Sequence, residues 1–398
     1  MSTLPQAQQI AAGLQQRFGA EVCLHPIRDI SAAPAIQADV AGLCERLGPV
    51  ETVHFNYSGG TKAMALHSYR TLEQKLGERV SFSYLDGRRF CLVSDASGQA
   101  INAQDLRRCV QLDFKEWIQL NQFALYRPFA QAVMPELQQA LGQLQQLLQT
   151  EGGLQAFWGT QAAADGWFYL RDPLMQAASS VNDISRSKYQ KLYRRGLRQQ
   201  ADALARKRQG FHPGPAFEQV LAAFPVDWQA AWRALDPALL DEAGLVALYH
   251  ISRFCDGHWL EMHTFSVLQQ VLAECFAAAD LCMGLELRQQ NWDTYFEVDI
   301  AALIGYQLLG VSCTTYNRKS ACKNKGFEII HRVRQIGGDE VREGLKMLLI
   351  TCVAPVERER LQQELAVETG TRRANILVCG QADLAPEKLR EQIGQFLT

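Results

Sequence analysis

The chain has 398 residues, of which 47% are hydrophobic and 21% are charged, a composition typical of a globular protein with two or three domains. The formal net charge of −2 excludes a general attraction to nucleic acid, so any such binding must come from a local basic patch. No uninterrupted run of about 18 apolar residues occurs, so no membrane-spanning helix is expected.

The eleven cysteines are scattered through apolar segments without CxxC or Cys/His spacing. We interpret them as buried free thiols of a reducing cytosol. Residues 1–19 have an amphipathic helical pattern that lacks the basic start and the apolar run of a signal peptide. A cytoplasmic protein is therefore expected.

Strand and helix patterns alternate over residues 1–112. Helices are predicted at 4–19, 35–47 and 62–76, and strands at 20–27, 52–57, 79–84 and 90–93. The last two strands flank Asp86-Gly87, which is typical of a hairpin. This alternation predicts an α/β, Rossmann-like domain whose parallel sheet is closed by an antiparallel edge.

Residues 113–245 are different, because they are rich in Gln, Ala and Leu at helical spacing. We predict a helical linker or insert here. Within it, Arg186 to Arg208 carries nine basic residues interleaved with Tyr189 and Tyr193. Such a run can contact a phosphate backbone or form a solvated helix face, and the sequence leaves both open.

Residues 246–398 are predicted to form a second α/β domain. Its predicted helices lie at 250–257, 259–278, 327–336 and 355–368, and its strands at 284–288, 295–303, 308–313, 345–353 and 375–379. This order of helix, three strands, helix and strand resembles that of restriction-endonuclease-like nucleases.

A glycine-rich loop, Asn56 to Lys62, lies between a predicted strand and a predicted helix. Its two glycines let a ligand approach the backbone, and the helix start directs amide N–H groups at an anion. The P-loop pattern GxxxxGK[ST] is absent, so ATP hydrolysis is not inferred. The loop predicts phosphate binding, with a plain structural turn as the alternative.

Acidic residues gather around the strands of the second domain. Glu297 and Asp299 alternate on one predicted strand, and Glu261 on an apolar helix would be costly to bury without a metal or a salt-bridge partner. Two carboxylates and a lysine at adjacent strand ends can hold a divalent metal and activate water against a phosphodiester. The nearby histidines are interpreted as core or surface residues: His258, His263 and His331.

Residues 56–65, NYSGGTKAMA, resemble the N-x-[ST]-G-G-T-K-x-M signature of CARF domains, the CRISPR-associated Rossmann folds that bind cyclic oligoadenylates. GHWLE at 257–261, FEVD at 296–299 and a strand ending in Val-Ser-Cys resemble the CRISPR ancillary nucleases that join a CARF domain to a restriction-endonuclease-like domain of the PD-(D/E)xK type. The resemblance covers most of residues 4–115 and 245–398.

This resemblance implies a homodimer in which two CARF domains form one pocket for a cyclic oligoadenylate, either the tetra-adenylate or the hexa-adenylate. The residues implied to bind this ligand are Asn56, Ser58, Gly59, Gly60, Thr61 and Lys62. Ligand binding is implied to switch on a Mn²⁺- or Mg²⁺-dependent endonuclease that cuts single-stranded RNA, DNA or both in type III CRISPR antiviral defence. Glu261 and Asp299 match the metal-binding acids.

The sequence departs from the family pattern in two places. Ser312-Cys313-Thr314 stands where relatives have E-x-K or S-x-K, and the chain opens almost at its first helix, so part of the ligand pocket is expected to be absent or supplied differently. The Cys313 carbonyl remains an acceptable metal ligand. Lys319, Lys323 or Lys325 can replace the missing lysine, and we favour Lys323, with Glu328 supplying a carboxylate.

Two further hypotheses stay open. One is a catalytically degenerate sensor or regulator that acts through nucleic-acid or partner binding. The other is a nuclease that degrades its own activator.

Overall fold

The computed structural model describes residues 4–47, 52–101, 105–159, 211–234, 241–276, 279–289, 294–337 and 345–398, together with isolated positions between 171 and 207. The described residues form two mixed sheets, one of three strands and one of six. The basic run Arg186 to Arg208 lies largely outside them. Among the described helices, none combines the length and the apolar character that crossing a bilayer requires.

The three-stranded sheet belongs to the N-terminal part of the chain. The helices there are α1 (Leu4–Phe18), α2 (Ala33–Leu47) and α3 (Lys62–Leu76), and the strands are β1 (Val53–Asn56), β2 (Val80–Asp86) and β3 (Cys91–Ser94). β1 and β2 pair in parallel, and β2 and β3 pair antiparallel. Ile36, Val40, Leu72 and Leu76 of α2 and α3 form a small buried core. The parallel sheet with an antiparallel edge is therefore present as predicted.

The prediction of a strand at residues 20–27 is wrong, since this segment forms no strand. Pro26 has no N–H to offer to a sheet. Side chains hold the segment against α2 instead. His25 Nε2 lies 2.7 Å from the Asp39 carbonyl oxygen, and the Arg28 backbone N–H donates to Asp39 Oδ2 at 2.9 Å. Contacts with a helix, and not with a neighbouring strand, therefore hold this segment.

The middle of the chain is helical. Its elements are α4 (Leu106–Cys109), α5 (Phe114–Leu120), β4 (Phe123–Leu125), α6 (Pro135–Leu148), α7 (Gly153–Trp158), α8 (Pro215–Leu221), α9 (Val226–Ala234) and α10 (Glu242–Arg253). Leu137, Phe217 and Leu248 are buried in the same apolar cluster as Ile300 and Leu348, which belong to the larger sheet. The middle region therefore shares one core with the C-terminal part.

The C-terminal elements are α11 (Trp259–Cys275), β5 (Ala279–Gln289), β6 (Tyr295–Ile304), β7 (Gln307–Cys313), α12 (Lys319–Gly337), β8 (Lys346–Ile350), α13 (Pro355–Thr369), β9 (Ile376–Cys379) and α14 (Pro386–Leu397). The six-stranded sheet runs in the order β4-β5-β6-β7-β8-β9. β4 to β7 pair antiparallel, and β7 to β9 pair in parallel. α11 and α14 pack in one core cluster, and α12 and α13 in the other. The β6-β7 hairpin brings the start of β6 beside the end of β7.

Helix α12 begins at Lys319, earlier than the start near Phe327 that was predicted. Basic residues at a helix start interact unfavourably with the helix dipole. The sequence therefore predicted a loop here. In the structure, Lys319 and Lys323 pair with Glu364 of α13 at 2.6 and 3.0 Å, and the buried Cys322 anchors the first turn. Contacts with a distant helix therefore stabilise a start that local sequence disfavours.

Candidate functional site

Polar side chains meet in a cleft at the end of the larger sheet where β6 begins and β7 ends. This strand-end cleft has a volume of about 530 Å³. Its lining includes Glu261 from α11, Glu297 from β6, Cys313 from β7, Lys325 from α12 and Arg253 from α10. Residues that are distant in sequence, including the predicted Glu261 and Cys313, are thus brought together.

Asp299 adjoins the cleft through its contacts with the end of β7. Its Oδ2 accepts hydrogen bonds from the Cys313 backbone N–H at 2.7 Å and from Ser312 Oγ at 3.1 Å. Burial, followed by the nearby charge of Glu261, raises the pKa of Asp299 to about 7, although the Cys313 N–H and Lys325 oppose the shift. Two carboxylates that repel one another in this way favour a bound cation.

Glu261 stands in the first turn of α11, directly after a π-helical turn, Phe254–His258. Its Oε2 lies 3.0 Å from His258 Nδ1, so the imidazole holds the carboxylate in place. Gly257 has a φ of 140°, and a Cβ there would lie 2.8 Å from Thr315 Cγ2. The turn that positions Glu261 therefore requires glycine. His258, interpreted from sequence as a core or surface residue, is a partner of a predicted site residue.

Lys325 supplies the ammonium group that lines the cleft. Its Nζ lies 2.9 Å from Glu328 Oε2. Burial works to lower the pKa of Lys325, but Glu328 and the charges of Asp299 and Glu297 outweigh burial and raise it. Lys325 is therefore protonated at neutral pH, and its charge acts on the carboxylate of Asp299.

Lys323, the lysine that the sequence analysis favoured, points to another partner. Its Nζ lies 2.7 Å from Glu368 and 3.0 Å from Glu364, both on α13. Glu328 is exposed and is paired with Lys325. Lys323 and Glu328 therefore do not form the joint pair at the helix start that was predicted, because both lie inside α12 and face different neighbours.

The oxygen atoms around Cys313 fit a hard divalent cation. The Cys313 thiol is not a suitable ligand, because burial raises its pKa well above the usual range and Sγ lies 3.7 Å from Thr264 Oγ1. The carboxylates of Glu261 and Asp299 and the Cys313 carbonyl are the donors of the type that Mg²⁺ and Mn²⁺ prefer.

These donors do not by themselves complete a metal site. Over the described ranges, no group of three or more His, Cys, Asp or Glu side chains is placed to hold a metal ion. Magnesium sites commonly use one or two carboxylates, with water and substrate phosphate oxygens as the remaining ligands. Glu261 and Asp299 fit a site of that kind.

Arg253 is a cleft residue that the sequence analysis missed. Its Nη1 lies 3.2 Å from the Tyr249 hydroxyl. Burial works to lower the pKa of Arg253, but Tyr249 and the charges of Glu261 and Glu297 outweigh burial and raise it. A guanidinium placed beside carboxylates is suited to a phosphate group. No sequence motif singled it out, because Arg253 and Glu261 belong to two helices that are separated by the turn at Gly257.

The Asn56–Lys62 loop joins β1 to α3 in the N-terminal part. Thr61 caps α3 by accepting a backbone N–H of the first turn at 3.2 Å, and Gly60 has a φ of 83°, which favours glycine. Ser58 to Lys62 are exposed. The amide groups at the start of α3 and the Lys62 ammonium group are therefore accessible to an anion.

Asn56 and Ser58 fix the shape of this loop. Asn56 Oδ1 accepts the Ser58 backbone N–H at 3.1 Å, and Asn56 Nδ2 donates to Ser83 Oγ at 3.0 Å. Ser58 Oγ accepts the Leu85 backbone N–H at 2.6 Å. The two polar residues thus tie the loop to β2, and Gly59 has open space where a side chain would stand.

Sequence comparison identifies no relative, since no family model and no curated protein matches the chain. Structure comparison finds proteins of similar fold. Protein VC1899 from Vibrio cholerae matches with a TM-score of 0.59 and 14% identity, over 98% of this chain and 88% of that one. Can2 from Sulfobacillus thermosulfidooxidans, solved in complex with cyclic tetra-adenylate, matches with a TM-score of 0.58 and 14% identity, over 100% of this chain and 90% of that one.

These likenesses extend over nearly the whole chain, and at this identity they establish the fold. The predicted fold class is therefore confirmed at the level of architecture: an α/β, Rossmann-like N-terminal part, a helical middle and a second α/β part at the C-terminus.

Proposed function

We propose that the chain is a metal-dependent endonuclease of type III CRISPR antiviral defence, activated by a cyclic oligoadenylate, which cuts single-stranded RNA, DNA or both. The observation that carries this proposal is the convergence of Glu261, Asp299 and Lys325 at the strand-end cleft. The fold shared with Can2, a protein solved with cyclic tetra-adenylate, supports it.

In this proposal, Glu261, Asp299 and the Cys313 carbonyl hold one Mn²⁺ or Mg²⁺ ion. An ion held there would supply polarisation of the scissile phosphate and would lower the pKa of a water molecule for attack on it. The Cys313 N–H fixes the orientation of the Asp299 carboxylate, and His258 fixes that of Glu261. These residues hold their donors in place before the substrate arrives, which is the main contribution a protein makes to such a site.

Lys325 replaces the lysine that is absent from β7. Its ammonium group lies on α12 and lines the cleft, where it can neutralise negative charge that develops on the phosphate during hydrolysis. Arg253 offers a second cation for the same phosphate or its neighbour. The degenerate alternative is weakened by this arrangement, because a cation remains available although the strand position is Thr314.

The activator in this proposal is cyclic tetra-adenylate, held across a homodimer by the Asn56–Lys62 loops of two subunits. A cyclic oligoadenylate is a multivalent anion, and two helix starts related by a two-fold axis suit it. Arg107 offers a physical connection to the nuclease part. Its Nη1 donates to Gln307 Oε1 at 3.2 Å and to the Leu397 carbonyl at 2.8 Å, and Gln307 begins the strand that ends at Cys313.

The test is cleavage of labelled single-stranded RNA and DNA with Mn²⁺ or Mg²⁺, with cyclic tetra-adenylate, with cyclic hexa-adenylate and without either. We expect cleavage only when metal and the tetra-adenylate are both present. Absence of cleavage with every metal and every ligand would overturn the nuclease proposal and leave the sensor hypothesis. Chromatography of the ligand after incubation shows whether the protein also degrades its activator.

A further inference from the structure

We propose that Tyr126 and Tyr295 form a stacking platform for the bases of a single-stranded nucleic acid beside the strand-end cleft. The proposal rests on the proposed nuclease function and extends it to how the substrate is recognised. The two rings are stacked, with centroids 4.2 Å apart and an interplanar angle of 4°. Both residues stay exposed, Tyr126 by 36% and Tyr295 by 38%, so aromatic surface of the pair faces solvent.

The platform is continuous with the proposed catalytic residues. Tyr295 and Glu297 both line the strand-end cleft, and Tyr295, Glu297 and Asp299 alternate on β6, so they point to one side of the sheet. Tyr295 lies roughly 14 Å along the strand from Asp299, at 3.4 Å per residue. A single-stranded nucleic acid whose phosphate lies at Asp299 can therefore place a base from further along its chain on Tyr295.

The charge beside the platform suits a nucleic-acid backbone. The Arg127 guanidinium lies 5.3 Å from the centre of the Tyr126 ring, and its Nε lies 3.5 Å from Glu286 Oε2, a partner that a phosphate would have to replace. Arg127 lines the strand-end cleft and also a second cleft of about 590 Å³, which includes Tyr126 and Lys115. The stacked rings thus lie between two clefts that share one arginine. Aromatic surface flanked by cationic groups is the usual way in which proteins bind single strands without reading their sequence.

This geometry favours a single strand over a duplex. The bases of a duplex are already stacked on one another, whereas a single strand can place a base against tyrosine. A purely structural role is the competing explanation, because cross-strand aromatic pairs stabilise sheets. Tyr126 follows β4 and its N–H donates to the Glu286 carbonyl of β5 at 2.9 Å. A structural pair, unlike a platform, would not respond to the presence of a base.

The experiment uses the full-length protein carrying Asp299→Ala, with cyclic tetra-adenylate and Mn²⁺, so that binding is measured without cleavage. The probes are single-stranded DNA and RNA oligonucleotides containing 2-aminopurine, and a duplex of the same sequence. Tyr295→Leu removes the aromatic face and Tyr295→Phe keeps it. We expect quenching of 2-aminopurine with the tyrosine and phenylalanine forms, and affinity about tenfold weaker with leucine. Comparison of the single-stranded DNA and RNA probes shows whether the sugar affects binding.

Thermal unfolding and binding of cyclic tetra-adenylate report whether each variant is folded. A folded Tyr295→Leu that binds and quenches as strongly as the tyrosine form overturns the platform. If the leucine variant does not fold, the Asp299→Ala protein that keeps Tyr295 decides the question. Absence of 2-aminopurine quenching with that protein overturns the platform. Ring-dependent binding in the Asp299→Ala background, with no cleavage by the protein that keeps Asp299, supports the platform while the nuclease proposal fails. Normal cleavage with an unchanged KM by Tyr295→Leu made in protein that keeps Asp299 overturns the platform and leaves the nuclease proposal intact.

Discussion

The backbone N–H of Cys313 donates to Asp299 Oδ2 at 2.7 Å, so the last residue of β7 fixes the carboxylate that we assign to metal binding. The same carboxylate is buried beside Glu261, which is why its pKa is raised to about 7. A group placed for function in this way is expected to cost stability until a cation is bound.

Replacing Asp299 by Asn tests that expectation. The folded protein holds the Asp299 proton more tightly than the unfolded chain does, so the free energy of unfolding falls as the pH rises from about 4 to about 7. The neutral amide avoids this loss. Without divalent metal at pH 8, we expect Asp299→Asn to be more stable than the parent by about 1–3 kcal/mol, with a smaller difference at pH 5. Thermal unfolding at the two pH values measures both.

Adding Mn²⁺ provides the control for this prediction. A cation that binds only the folded state raises the unfolding temperature by mass action. We expect such a rise for the parent protein at pH 8 and none for Asp299→Asn. An Asn variant that is less stable than the parent at pH 8 would contradict the assignment of Asp299 to metal binding. So would an Asn variant whose unfolding temperature rises as much with Mn²⁺ as that of the parent.

Lys325 and Lys323 form a matched pair on the same helix. Because Lys325 lines the cleft and Lys323 pairs with Glu364 and Glu368, only Lys325 is expected to act on the phosphate. Lys325→Met should lower kcat by about 10²–10³-fold, whereas Lys323→Met should leave kcat within about threefold. Single-turnover cleavage of a labelled oligonucleotide measures both rates. Equal losses in the two variants would refute the assignment.

Lys62 stands in the first turn of α3 and Lys75 in its last turn. An anionic activator at the helix start should be sensitive to the first lysine only, since screened charges act over short distances. We expect Lys62→Ala to weaken binding of cyclic tetra-adenylate about tenfold and Lys75→Ala to leave it unchanged. Calorimetric titration measures the two affinities, and an unchanged affinity in Lys62→Ala would place the ligand elsewhere.

Arg107 is buried between the N-terminal part and the larger sheet, whereas the adjacent Arg108 is exposed. Arg107 Nη2 also lies 2.7 Å from Asp105 Oδ2, so Arg107→Met leaves this carboxylate and the Leu397 carbonyl without their donor. We expect the free energy of unfolding to fall by about 2–4 kcal/mol. We also expect ligand-dependent cleavage to fall by more than any change in ligand affinity explains. Arg108→Met is the control, and denaturant unfolding with ligand-dependent cleavage gives both readouts.

Much of the fold follows from local sequence. The alternation of strand and helix patterns, and the strand carrying Glu297 and Asp299, are local signals and were predicted. The segment at residues 20–27 was not, because its hydrogen bonds to Asp39 are tertiary. The start of α12 was also mispredicted, since Glu364 of another helix stabilises its basic first turn.

The candidate site was predictable in its residue types and less so in its partners. Glu261, Asp299 and the Asn56–Lys62 loop were proposed from motifs, and they stay proposals. The choice between Lys323 and Lys325 could not be made from sequence, because it depends on which face of α12 meets the cleft and which meets α13. Tyr126 was not noticed, because its ring meets Tyr295 only through the pairing of β4 with β5.

The most direct test of metal-dependent, ligand-activated cleavage compares the parent protein with Asp299→Ala in the presence of Mn²⁺. Single-turnover cleavage of single-stranded RNA and DNA is measured with and without cyclic tetra-adenylate, and ligand affinity is measured on the same preparations. We expect the parent to cleave only with ligand, and Asp299→Ala to cleave about 10²–10³-fold more slowly at unchanged ligand affinity. Ligand-dependent cleavage at the parental rate in Asp299→Ala would contradict this expectation.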